Sequence, residues 1–435
     1  MIASRLFSFL VPFVYVTNIH GYTSAIYTGR IFQYHFYIAS IVLAFTLALH
    51  STHAFTKHSK ELYRYVLGCI LFLLLCGLSL LLVKNDTQAL DQFSRYFWTI
   101  ALSCSFAMVV QSRERLFKDA CFGVFIAVSL LCIVSFMEFF DPTFRVFASA
   151  SNNVEEQFIS GEASRIGGLH VNPNENGNAM ILGMFVALLA VPKVLRLAFL
   201  LAVGLAVITT ASRSSLLMWP LVFFLAFQIG LCGKKTIVKF FIVTAIIILI
   251  GTLLISGNIP LYLEYIGLDQ YLSENMKERL SGNFFTQEDD STDSRIELAL
   301  EGLVGFTDNP ILGGGLGTSS PTDSQGTHNM PVKLGYELGI LSLLLIFIGF
   351  PFLAIQNKSL FGGVFLLLVF VNSFFTHNMY EHAYLPILLV TSVVLAPIFS
   401  ISKRKTRRKR VRKRKSSSLQ SRRDSNRRKQ RTDRL

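Results

Sequence analysis

Four side chains in this sequence are of types that bind anions or move protons, each beside small or polar residues: Arg165, Arg213, Arg295 and His328. Arg165 stands in Ser164-Arg165-Ile166-Gly167-Gly168, shortly before Asn172-Pro173-Asn174. Arg213 stands in Thr209-Thr210-Ala211-Ser212-Arg213-Ser214-Ser215, and Arg295 follows Asp293-Ser294. His328 leads into Asn329-Met330-Pro331. A guanidinium is a planar, permanently charged fork suited to paired contacts with an anion. An imidazole titrates near neutrality and can serve as a base. Each residue also has an ordinary reading. Arginines at span ends commonly snorkel to the membrane surface. Arg295 can pair with a nearby acid, and His328 can cap a helix.

Other patterns narrow the chemistry. Gly313-Gly314-Gly315-Leu316-Gly317 follows no strand of a βαβ unit, so it is no dinucleotide fingerprint. It reads as a tight turn or as backbone lying close to another helix. Neither a GxxxxGK[ST] loop nor an HExxH pair occurs. His377 and His382 are five apart in the run HNMYEH, poor spacing for a shared metal on one helix face. The six cysteines lie in apolar blocks or beside a short turn, so no disulfide framework is indicated.

The elements that must hold these residues are membrane spans. The chain is 52% hydrophobic and only 16% charged, where a soluble domain carries about 25% charge. Apolar blocks of span length fall at 2–18, 31–49, 62–83, 93–110, 116–140, 175–192, 194–210, 214–231, 236–256, 332–355, 359–375 and 383–401. In lipid the backbone must satisfy itself, so the expected fold is all-α and polytopic, with about twelve transmembrane helices. With the N-terminus cytoplasmic, every short inside turn is basic, as the positive-inside rule requires. The first block reads as an uncleaved span rather than a signal peptide.

Two extracytoplasmic loops are long, 141–174 and 257–331. The second is acidic and shows helical periodicity at about 260–280 and 293–306. Long structured loops on one face are where function usually sits. Glu138, Lys333 and Glu337 lie near span ends, and the span middles are nearly free of charge. Residues 402–435 carry 18 Lys/Arg against 2 Asp, so the net charge of +14 belongs to the tail and residues 1–401 net −2. That tail is expected to be a disordered cytoplasmic segment drawn to anionic lipid. Nucleic-acid binding is the disfavoured reading of it.

Taken in order, SRIGGLHVNPNENGNAM, TTASRSSLLM, DSRIELALEGLVGFTDNPILGGGLG and THNMPVKLGYELGILSLL resemble the O-antigen ligase and O-antigen polymerase superfamily over about 165–345. Arg213 and Leu217 fit its Arg-x-x-x-Leu pattern, and ten residues separate His328 from Gly339 as in its His–Gly pattern. The resemblance implies a glycosyltransferase at the outer face of the bacterial cytoplasmic (inner) membrane. Its donor would be a glycan on undecaprenyl diphosphate. Its acceptor would be a sugar hydroxyl on lipid A–core or on another lipid-linked glycan, with no metal or cofactor. Arg213 and Arg295, with Arg165 as a third, would bind the diphosphate, and His328 would activate the acceptor.

Two competing readings stand beside this one. A lipid-linked glycan flippase would need charges lining a path through the membrane, which the span middles lack. A metal-dependent oligosaccharyltransferase would need an acid in the first outside loop, and residues 19–30 contain none. Protein O-glycosylation by a related ligase would use the same motifs.

Overall fold

The computed structural model describes residues 1–28, 34–50, 60–83, 87–141, 144, 166–170, 172–231, 259–265, 267–271, 276–277, 280, 290–319, 329–356, 359–376 and 379–397. Among these there is no strand. The helices are α1 (Ile2–Val16), α2 (Ile19–Thr28), α3 (Tyr34–Leu49), α4 (Lys60–Leu82), α5 (Thr87–Val110), α6 (Glu114–Phe140) and α7 (Pro173–Ala187). They continue with α8 (Arg196–Thr209), α9 (Arg213–Gln228), α10 (Ile259–Tyr265), α11 (Asp290–Asp308) and α12 (Met330–Leu344). The last two are α13 (Leu360–Ser373) and α14 (Tyr384–Leu389). α12 runs on through a π-helical stretch, Leu345–Gly349, into Phe350–Gln356.

The bundle wears its apolar residues outside as well as inside. Leu71, Leu74, Leu78 and Leu81 on α4, and Ile133, Met137 and Phe140 on α6, are exposed. Such a surface suits lipid and would be a liability in water. Buried hydroxyls link neighbouring helices, as between Tyr65 and Ser103 at 2.9 Å. α6 is the central post, packed by α1, α7 and α8. Arg5 in the first turn of α1 and Asp119 in the second turn of α6 are tied at 2.8 Å.

Twelve full-length spans are not what the described residues show. Four helices are long and apolar enough to cross a membrane: Lys60–Leu82, Thr87–Val110, Glu114–Phe140 and Met330–Phe352. Counting the bent pair α1 and α2 as one span makes five. Five more apolar helices are shorter, among them α3, α8, α9 and α13. The block 236–256 and the basic tail 402–435 lie outside the described residues.

The difference has local causes. The first block does not stop at 18. The chain bends by 69° after Val16 and re-enters helix as α2, with Asn18 at φ 60°. The segment before α7 repairs this break: His170 Nε2 donates to the Val16 carbonyl at 3.1 Å, and Asn18 donates to the Leu169 carbonyl at 3.2 Å. α7 reads as weakly apolar because of its Asn and Gly residues, yet from Asn176 to Ala187 every residue is buried. Asn176 is tied to α6, its amide donating to Ser135 at 2.9 Å.

α12 contains a second repaired break. Gly339 sits at φ 69°, ψ −173°, outside helical geometry, a region open almost only to glycine. The carbonyls this frees accept from the glycine run: Gly314 N–H to Tyr336 at 2.7 Å and Gly315 N–H to Glu337 at 3.1 Å. In return the Ile340 amide donates to the Pro310 carbonyl at 2.8 Å. A Cβ on Gly313 would strike the Glu337 backbone, and one on Gly339 would strike the Ile311 carbonyl. Asn309-Pro310-Ile311-Leu312-Gly313 and Glu337-Leu338-Gly339 are thus two halves of one lock. The glycine run lies close to another helix, as its composition leads one to expect. Within a bilayer, a broken helix is tolerated when neighbours re-satisfy its backbone in this way.

Candidate functional site

The N-terminal halves of α5, α7, α9 and α12 meet at one end of the bundle, linked by side chains. α9 meets α7 where Ser215 donates to Asn178 at 3.3 Å. α7 meets the connection between α13 and α14 where Glu175 pairs with His382 at 3.0 Å. That connection reaches α12 and α5 through Glu381. Its carboxylate takes the Lys333 ammonium at 2.9 Å and faces the Arg95 guanidinium at 3.6 Å. α5 meets α12 again where Gln92 donates to Glu337 at 2.8 Å. Ser319, at the end of the glycine turn, donates to the other Glu337 oxygen at 2.5 Å.

Charge is strongly differentiated here. Burial opposes ionisation of His382, but the Glu175 and Glu381 carboxylates prevail and hold its pKa above the ordinary histidine value. Burial opposes ionisation of Glu381 too, and the Lys333 and Arg95 cations prevail, lowering its pKa. His170 goes the other way, pushed by burial down to about 4. It is therefore neutral at physiological pH, consistent with its Nε2–H donating to a carbonyl.

Arg213 is the first residue of α9, half-buried. Ala211, at φ 48°, turns the chain sharply out of α8. Ser212 precedes the helix without a side-chain cap bond. By contrast, Asn172 caps α7 through the Asn174 amide at 2.8 Å, and Asn329 caps α12 through the Val332 amide at 3.2 Å. A helix N-terminus carries roughly half a positive charge. At α9 that field and the guanidinium coincide.

Of the four residues singled out from the sequence, Arg213 alone has a described side chain. Arg295 lies on α11, whose backbone is described there and packs along α12. Arg165 and His328 fall outside the described residues, directly before the described segments that begin at 166 and 329. His377 also falls outside, and His382 is engaged with Glu175. Among the described residues no group of three or more His, Cys, Asp or Glu is arranged to hold a metal ion.

Sequence reading missed the charged links at this end. Lys333 and Glu337 were recognisable as acids and bases near a span end. Their partners were not, because Lys333 and Glu381 are 48 residues apart and Gln92 and Glu337 are 245 apart. Arg95 stands in no motif, and neither the stretch around Glu175 nor the run HNMYEH singles out its glutamate. Their one local signal is that each is a charge within a turn of a span end.

A bundle that is helical throughout its described residues, with an apolar outer surface and a charged network at one end, defines a multi-pass membrane protein. Residues 197–347, about a third of the chain, match the family model for O-antigen ligase (Wzy_C). The matched stretch holds Arg213, Arg295, His328 and both halves of the glycine lock. The chain matches no curated protein.

Proposed function

We propose that this protein transfers a glycan from an undecaprenyl-diphosphate donor to an acceptor sugar hydroxyl, at the outer face of the cytoplasmic membrane. The acceptor is lipid A–core for a ligase, or another lipid-linked glycan for a polymerase. One observation carries the reading: Arg213 opens α9 at the bundle end where α7 and α12 also begin, inside the stretch that matches O-antigen ligase. A diphosphate is an anion and a good leaving group, so it needs charge stabilisation more than a proton. Arg213, Arg295 and Arg165 supply that charge. His328 takes the proton of the acceptor hydroxyl as its oxygen attacks the anomeric carbon. The bond to the diphosphate breaks and its electron pair leaves on the phosphate oxygen. No metal takes part.

Each arginine aimed at the developing charge is worth about 3 kcal/mol, on the order of a hundredfold in rate. Transfer is measured in membranes supplied with lipid-linked donor. Arg213→Ala and His328→Ala should each lower it by about that factor. Arg213→Lys should also impair it, because a point charge is not a fork. Full transfer by His328→Ala removes the base assignment, and full transfer by Arg213→Lys removes paired phosphate binding. A glycolipid gel of a strain lacking the protein separates the two activities. Unattached long chains indicate a lost ligase, and a single repeat on the acceptor a lost polymerase.

A further inference from the structure

Glu381 and His382 are adjacent, opposite in charge, and committed to different elements. Glu381 reaches Lys333 on the first turn of α12 and Arg95 on α5. His382 reaches Glu175 on the first turn of α7. Arg95 is itself held by Asp91 at 2.7 Å, one turn back on α5. One rung further along, Gln92 on α5 holds Glu337 on α12. α5 and α12 are therefore clamped twice, and one dipeptide joins that clamp to α7. Lys333 lies five residues after His328, and Glu175 lies ten after Arg165. The dipeptide and Arg95 both lie outside the stretch 197–347, yet they grip its most motif-rich helix.

Stability alone is a poor reason for such an arrangement. The Lys333 and Glu381 side chains are only 9% and 10% exposed. Taking two charges out of water costs several kcal/mol per ion, and apolar residues of similar volume often serve stability as well or better. What a buried pair adds is direction, since each partner has one place where its charge is satisfied. Reacting groups need such direction, because a misplacement of about 1 Å can cost a hundredfold in rate.

We propose that Glu381–His382 is a positioning hub that fixes the starts of α7 and α12 relative to each other and to α5. Neither residue touches substrate. Glu381 orients α12 through Lys333, and His382 orients α7 through Glu175. The groups around the hub are Lys333, Arg95 and Asp91 on one side and Glu175 on the other, with His170 and His20 beyond. The effect on transfer rests on the glycosyl-transfer reading above; the geometric effect does not.

Two readouts test it in the full-length, detergent-solubilised protein. First, spin labels on Asn174 and Val332, in a cysteine-free background, report the spacing of the α7 and α12 starts. Glu381→Gln and His382→Gln should each broaden that distribution or shift it by about 1 Å or more. Distributions identical to wild type in both variants overturn the hub, whatever the activity. Second, Glu381→Gln should lower kcat about 10- to 100-fold with the donor KM changed less than about twofold, and Glu381→Asp should recover part of the loss. A wild-type kcat, or a loss explained wholly by less folded protein, overturns the positioning role. If Glu381→Gln does not accumulate, His382→Gln carries both readouts. Shifted distances together with full transfer by His328→Ala would leave the hub standing and remove the base assignment instead.

Discussion

Two histidines at the charged end show how neighbours decide a protonation state. His170 is buried and His382 only half-buried, and burial leaves His170 neutral, with a pKa of about 4. His382 has carboxylates in contact, and its pKa rises. A raised value in the folded state makes folding favour the protonated form. The stability from the His382–Glu175 pair is then fully present below the unfolded histidine value, about 6.5, and is lost as pH rises through the folded value. His382→Gln has nothing to titrate there. The stability gap between wild type and His382→Gln should be about 1–3 kcal/mol near pH 6 and should shrink as pH rises through the folded value. Thermal unfolding in detergent across that range measures it. A gap that stays constant or widens with pH would show that the pair is not ionised as described.

Among the elements, what the sequence could reveal divides by the range of the interaction. Helix periodicity and block length are local, and they place α4, α5 and α6 closely. The glycine run is local too, and its reading as close backbone contact matches the lock between 309–315 and 336–340. The bend after Val16 was hidden because hydropathy alone does not distinguish a straight span from one whose freed carbonyl is taken by His170, far along the chain. α7 was legible as an apolar block but not as the buried strut it is, because its asparagines find partners on α6 and α9. At the candidate site, the types of Arg213 and His328 were informative, whereas the bridge through Glu381 depends on folding and leaves no spacing to read.

The lock itself makes an element-level prediction. Gly339→Ala places a side chain in a backbone region that costs about 1–3 kcal/mol, against the Ile311 carbonyl. It should lower thermal stability by that amount or more and reduce transfer with it. Gly77→Ala on α4 is the control, since a Cβ there meets nothing within 4 Å and alanine favours helix by roughly 1 kcal/mol. Equal stability of the two variants would mean that the Gly339 geometry is not required.

At the scale of the whole molecule, the question is what orients the bundle. The tail carries 18 of the 41 Lys/Arg, and it is tempting to give it that task. The rest of the chain argues otherwise. On the topology expected from the sequence, 13 Lys/Arg outside the tail fall on the side of the short turns and 10 on the side of the long loops. Charges in short turns count most towards orientation, because long loops cross largely regardless of charge. On that topology Arg5, at the start of α1, is on the short-turn side, and it is already bonded to Asp119. A chain ending at residue 401 should therefore insert with its orientation unchanged and keep its transfer activity. What it should lose is attraction to anionic lipid, about 1 kcal/mol per basic residue at the membrane surface. Reporter fusions after residues 231 and 401 read the orientation, and the glycolipid gel reads the activity. An inverted reporter would make the tail the determinant of orientation, and correct insertion with lost transfer would give it a part in the reaction.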